Sequence, residues 1–233
     1  MIAWLNNLTF LQACLWALVL NVTTFALSLL IGHLLVWRYR DRPVTEPPRP
    51  LEAAEVWLSI GCVLLNAGVA IAGYWLWKRG IIVFRDELSW RTALDVVVLL
   101  IAMDFLMYCF HRAAHHRWLY PILHSTHHRY DNPRPLNLFV LNPFEVLGFG
   151  ALWLIVIASY PCTWIGMMAY LAANLAFGTI GHLGVEPYPT FLKRWPLLRS
   201  LGSSTFHADH HQNGGVNFGF YTNWWDRLFG TMR

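Results

Sequence analysis

Thirty consecutive positions, 8–37, pass without an Asp, Glu, Lys or Arg. A bilayer core about 30 Å thick is crossed by roughly 20 apolar residues in a helix, so a run of this length fits lipid. Comparable runs cover residues 53–77, 94–110 and 144–181. Lipid offers backbone N–H and C=O groups no partners, which leaves helices, satisfied internally, as the spanning element. The last run is long enough to cross twice, and Pro161 in "SYPCTW" interrupts the helical hydrogen-bond ladder where the chain would turn. The expectation is an all-α polytopic membrane helical bundle of five spans, with four as the fallback. A content of 56% hydrophobic and 13% charged residues, with a mean hydropathy of +0.40, agrees. The first run lacks a basic start and a small-residue cleavage site, so it is expected to stay as a span and not to be removed as a signal peptide.

The segments between the runs differ in kind. The linker 38–50, "RYRDRPVTEPPRP", is charged and proline-rich, a stiff extended connection outside lipid. Segments 111–142 and 182–233 hold ten of the eleven histidines. The two-pass hairpin between them returns the chain to the face it left, so both are expected to build one histidine-rich helical cap. Residues 1–93 then form N-terminal spans and linkers, and residues 94–233 a histidine-box domain that includes the hairpin at about 144–181. The net charge of +4 and the pI near 9.0 do not indicate nucleic acid, because the basic residues sit scattered at the ends of apolar runs. Thirteen of the seventeen Lys and Arg residues fall in the linker and the two histidine segments, and four in 78–91. By the positive-inside rule the histidine face is expected to be cytoplasmic. Segment 78–91, whose four charges oppose that assignment, is compatible with an amphipathic stretch along the interface. Cys14, Cys62, Cys109 and Cys162 stand singly, which indicates neither a disulfide framework nor a thiolate metal site.

The stretch "HRAAHHRWLYPILHSTHH", residues 111–128, carries six histidines directly after an apolar run. Side chains three and four residues apart share a helix face. His111 and His115 are spaced i, i+4; His124, His127 and His128 are spaced i, i+3, i+4; His207, His210 and His211 repeat that second spacing. Each cluster is thus expected to aim several imidazoles in one direction. Neutral imidazole ligates iron, zinc, copper or nickel, and gathering this many unpaired histidines otherwise costs polar burial. His33 and His116, each outside this spacing, are ordinary surface or core histidines. Eight cluster histidines, with His182 as a ninth, exceed the ligand set of one ion, so two ions are implied. Two iron ions with open positions can bind and reduce dioxygen, and the chemistry implied is oxidation of an unactivated C–H bond. Zinc can substitute for iron in purified samples.

The ordered set "DFLMYCFHRAAHH", "LHSTHH", "NPFE", "GHLGVEPYP", "HADHH" and "NFGFYTNWWDRLFGT" resembles the fatty acid hydroxylase and sterol desaturase superfamily of membrane histidine-box di-iron oxygenases, over roughly residues 100–233. The resemblance implies that His111, His115, His124, His127, His128, His207, His210 and His211 are metal ligands, with His182 in an additional ligand position. Asn142 stands where relatives often have histidine, and it is either a weak ligand or a cap on the next helix. Glu186 stands where some fatty acid hydroxylases have a second histidine, and it is expected to support a ligand or to lie on the surface. Asp104, seven residues before His111 and inside an apolar span, is expected to orient a ligand. Tyr108 faces the same way. Asp209 and Asp226 are weaker candidates for the same role.

Other chemistries fit less well. A zinc hydrolase of the His-Glu-x-x-His type is excluded, because no His-Glu pair occurs. Haem would use isolated histidines in facing pairs. A membrane metal-binding or transport protein without redox catalysis remains the alternative, although only His33 lies well inside a span. The substrate is expected to be a lipid, fatty acyl, sterol or related, hydroxylated or desaturated with O2 after lateral entry from the bilayer. These residues contain no Gly-x-Gly-x-x-Gly fingerprint and no cysteine run. Electrons are therefore expected from an external reductase with a ferredoxin or cytochrome carrier, docking near Arg112, Arg117, Arg129, Lys193, Arg194 and Arg199.

Overall fold

The computed structural model describes residues 2–233, with Ile2, Ala3 and Lys193 described in their backbone alone. A short α1 (Ile2–Asn6) leads into α2 (Phe10–Arg38), which starts where the Thr9 side chain accepts the Gln12 N–H and Gln12 accepts the Thr9 N–H. There follow α3 (Ala53–Lys78), the two-residue β1 (Phe84–Arg85) and α4 (Trp90–Ala114), then two single turns, α5 (Tyr120–Leu123) and α6 (Ser125–His128). After a 3-10 turn at Pro135–Phe139 come α7 (Pro143–Ser159), β2 (Cys162–Thr163) and α8 (Trp164–Gly181). Two more 3-10 turns, Thr190–Arg194 and Leu198–Ser200, precede α9 (Ser204–Gln212) and α10 (Trp224–Leu228).

Helices α2, α3, α4 and α8, of 29, 26, 25 and 18 residues, are long and apolar enough to cross a membrane. α7 is apolar as well and has 17 residues, which at 1.5 Å each gives about 26 Å, close to the hydrocarbon thickness. Four helices thus have the length and composition of a span, the fallback count and not the expected five, and α7 is a shorter apolar helix. The hairpin breaks where Pro161 predicts: α7 ends at Ser159, and Thr163 caps α8 through the Gly166 N–H. Leu99, Met103 and Met107 of α4 pack against Ile157, Met167 and Tyr170 of the hairpin, while leucines such as Leu11, Leu15 and Leu64 face outward. An outward leucine costs free energy in water and none in acyl chains.

Both ends of the bundle are tied. At one end the buried Asp95 carboxylate accepts from Arg85 Nη2 (2.8 Å), the Tyr160 hydroxyl (2.8 Å) and the Thr163 N–H (2.7 Å). β1 pairs in parallel with β2 beside it, so segment 78–91 is a turn pinned to the α7–α8 hairpin. At the other end the linker after α2 joins the histidine segments. The Val44 N–H donates to the Gly184 carbonyl (3.0 Å), the Glu186 N–H donates to the Arg42 carbonyl (2.9 Å), and Arg129 pairs with Glu52 (2.8 Å). Gly184 has φ +69°, and a Cβ there would lie 2.8 Å from the Pro133 carbonyl oxygen, so this crossing requires glycine. The linker and both histidine segments share one face, as the hairpin argument expects.

Candidate metal centre

Nine histidines converge at the linker end of the bundle in two groups: His111, His115, His124, His128 and His210, and His127, His182, His207 and His211. Within each group the ring nitrogens lie within 4.8 Å of one another. The two groups share elements. α4 and its C-cap supply His111 and His115; α6 and its N-cap supply His124, His127 and His128; the C-cap of α8 supplies His182; α9 supplies the rest. The expectation that each cluster aims one way needs correcting in detail. Neighbouring residues point about 100° apart on a helix, so His127 and His128 divide between the groups, as do His211 and His210. The His-His doublets tie the two groups into one centre, with α6 and α9 each serving both.

Hydrogen bonds fix the tautomers. A carbonyl only accepts, so a ring nitrogen bonded to one carries the proton. The Nδ1–H groups of His111, His127, His182 and His210 donate to the carbonyls of Phe218 (2.9 Å), Val140 (3.3 Å), Gly178 (2.8 Å) and Val216 (2.7 Å). His124 Nδ1 donates to Glu145 Oε1 at 2.6 Å, both groups being buried. These rings therefore present bare Nε2 lone pairs. His127 and His182 present them to each other at 3.3 Å, and His111 and His124 do so at 2.9 Å. Facing lone pairs repel, whereas a cation accepted by both removes the conflict. A backbone carbonyl or carboxylate on the far nitrogen is also the arrangement that ligating histidines adopt. The residues present thus fit metal ions.

Burial, the main cause throughout, holds these imidazoles neutral, the form that ligates. It lowers the pKa of His115 to about 3 and of His128 and His182 to about 4, and sets His127, His207, His210 and His211 well below the ordinary histidine range.

The other candidates sort by what they touch. Asp104 accepts from the Tyr221 N–H (2.8 Å), the Thr222 N–H (3.3 Å) and hydroxyl (2.5 Å), and Trp225 Nε1 (3.1 Å). Its partners thus lie in the closing segment and not among the histidines. Asp226 accepts from the Phe218 and Gly219 N–H groups, both at 2.8 Å, and so holds the peptide whose carbonyl takes His111. Tyr108 bonds Thr231, and Arg112 donates to it. Asn142 caps α7 by accepting the Phe144 N–H at 2.9 Å. Glu186 accepts from the Thr205 N–H and hydroxyl at the start of α9. His33 bonds the Leu29 carbonyl in its own helix, and neither it nor His116 belongs to the groups. Asp209 makes no side-chain bond among the described residues, and the Lys193 side chain lies outside them. Glu145 is the residue that sequence reasoning missed. It stands inside "NPFE", in the first turn of α7, where an acid also suits the helix dipole.

A family model for fatty acid hydroxylase matches residues 96–231. Methylsterol monooxygenase 1 of Danio rerio is 32% identical over 124 residues, 53% of this chain and 42% of that one. Very-long-chain aldehyde decarbonylase GL1-5 of Oryza sativa subsp. indica is 30% identical over 155 residues, 61% of this chain and 24% of that one. Lathosterol oxidase of Homo sapiens is 24% identical over 244 residues, 99% and 78% of the respective chains. The chain spans only 24% to 28% of the length of the aldehyde decarbonylases it matches. No solved structure matches it. Because the matched region is more than half of the chain and contains all nine grouped histidines, the chain belongs to the fatty acid hydroxylase family.

Proposed function

We propose that this chain is a membrane oxygenase that hydroxylates or desaturates a C–H bond of a lipid, using O2, two iron ions held by the nine histidines, and electrons from an external reductase through a ferredoxin or cytochrome carrier. The observation that carries this reading is the pair of histidine groups whose Nε2 lone pairs face one another at the end of an apolar bundle. His111, His115, His124, His128 and His210 would hold one ion, and His127, His182, His207 and His211 the other. Bound iron would supply the redox chemistry for reducing dioxygen. The protein's own part is positional. Glu145 and the carbonyls of Phe218, Val140, Gly178 and Val216 keep five imidazoles in the ligating tautomer, and burial excludes water and protons from them. Asp104 and Asp226 fix the closing segment that carries the Phe218 carbonyl. A lipid substrate accounts for joining such a site to so much spanning helix. The relatives named methylsterol monooxygenase and lathosterol oxidase are oxidoreductases of lipids by name, which supports the reaction class.

Metal analysis tests the reading. Purified protein should contain about two ions per chain, and replacing His127 or His210, one from each group, with alanine should remove about one or more. A single ion insensitive to both replacements overturns it. Readily exchanging ions, with transport into vesicles, would favour a metal carrier instead.

A further inference from the structure

The two histidine groups rest on different parts of the chain. His111, His124 and His210 are oriented by Glu145 and by the carbonyls of Phe218 and Val216, all inside the matched region 96–231. His127 is oriented by the Val140 carbonyl, at the end of the 3-10 turn Pro135–Phe139. What fixes that turn comes from residues 1–93. Glu55, in the first turn of α3, is fully buried. Its Oε1 accepts from Asn137 Nδ2 at 2.9 Å and lies 3.4 Å from Arg134 Nε. Asn137 is buried as well: its Oδ1 accepts the Arg134 N–H at 2.8 Å, and its carbonyl accepts the Val140 N–H at 3.1 Å. Residue by residue, hydrogen bonds therefore run from Glu55 to Asn137, from Asn137 to Val140, and from Val140 to the His127 ring. α2 backs the same turn. A Cβ on Gly32 would lie 2.7 Å from Pro135 Cβ, and Phe25 meets Phe139 edge-on with ring centroids 4.8 Å apart.

Capping of α3 does not account for this carboxylate. The cap uses Oε2 alone, on the Glu52 N–H at 3.0 Å, and an acid in the first turn of a helix can do that from the surface. Burying a charged group is costly unless it is partnered, and Oε1 finds its partners only in the turn. Among the described residues, nothing in 1–93 hydrogen-bonds Glu145 or the peptides of Val216 and Phe218. Towards α7, α3 offers apolar packing, with Cys62 and Val146 in one buried cluster.

We propose that Glu55 is a positioning residue for the four-histidine group: through Asn137 it sets the Val140 carbonyl that orients His127, so that the N-terminal spans tune one ion and not the other. This rests on the two-ion reading above.

Titration with cobalt(II), whose visible absorption reports ligation, tests it on the full chain in lipid nanodiscs with one group disabled at a time. His210→Ala leaves the four-histidine group, and His127→Ala leaves the five-histidine group. Glu55→Gln removes the charge beside Arg134 and should weaken cobalt binding about tenfold in the first background, the lower end of the range for groups that orient a ligand. In the second background it should change nothing. Asp95→Asn is the control, because it loosens an equally buried carboxylate at the opposite end of the bundle. It should lower the thermal midpoint and leave both affinities as they are. Equal weakening of both groups by Glu55→Gln, weakening of neither, or the same selective loss from Asp95→Asn overturns the proposal. Should Glu55→Gln not fold, Asn137→Ser, too short to reach Glu55, carries the test with the same outcomes. A parent protein that binds no ion at either group overturns the two-ion reading and this proposal with it, whereas two bound ions and an indifferent Glu55→Gln overturn this proposal alone.

Discussion

At the scale of single residues, the contact between His124 and Glu145 is the most exposed to test. The Glu145 carboxylate lies 2.6 Å from Nδ1, is buried, and its Oε2 has no hydrogen-bond partner among the described residues. Glu145→Gln keeps the shape but offers an amide, which stabilises a ligating imidazole less than a charge does. The variant should bind metal at the five-histidine group about 10 to 100-fold more weakly, while His127, His182, His207 and His211 keep theirs. Metal titration reads this, and equal affinity at the five-histidine group in both proteins would remove Glu145 from the ligand-orienting set. The histidines themselves were legible in the sequence because i, i+3 and i, i+4 spacing is a local property. Glu145 was not, because its partner is 21 residues away and only the packing of α7 against α5 brings them together. The carbonyls of Phe218, Val140, Gly178 and Val216 were invisible for a plainer reason: every residue has a carbonyl, and no side-chain identity marks the ones that face a ring.

At the scale of elements, hydropathy located the spans but not their ends. The apolar run 94–110 became α4 over Trp90–Ala114, because Ser89 caps the start and hydrogen bonding carries the helix on through the polar His111. α5, α6 and α10, of 4, 4 and 5 residues, are too short to show a 3.6-residue period, so their positions were not readable. Such short pieces need outside support, and the closing segment shows how it is given. Asp104, inside α4, receives two N–H groups, a hydroxyl and an indole from residues 221–225, and thereby holds the segment that carries the Phe218 contact with His111. Its location in an apolar span was a legible signal of partnered function, but the partner was not the expected histidine. Asp104→Asn keeps the volume and weakens four bonds at once, so the variant should retain most of its metal yet lose about 10 to 100-fold in turnover. Metal analysis beside lipid turnover checks both halves, and undiminished turnover would reduce Asp104 to a packing residue.

At the scale of the whole molecule, the two tied ends define two faces, and the charge is distributed unequally between them. The linker and the histidine segments carry thirteen of the seventeen Lys and Arg residues, and contacts such as Val44 with Gly184 hold them on one side. Lys78, Arg79, Arg85 and Arg91 occupy the other end. Arg85 is committed there to the buried Asp95, a salt bridge at 2.8 Å, which leaves less free positive charge on that face than the sequence count implies. On the positive-inside rule we propose that the histidine face is cytoplasmic, the compartment from which a reductase would deliver electrons. In a variant with Cys14, Cys62, Cys109 and Cys162 replaced, a single cysteine at Arg117 or at Asp86 reports the two faces. A membrane-impermeant maleimide should label Asp86→Cys on intact cells and Arg117→Cys only after the membrane is opened. The reverse pattern would place the histidines outside and force the electron source to be extracytoplasmic, because no carrier reaches across a bilayer about 30 Å thick.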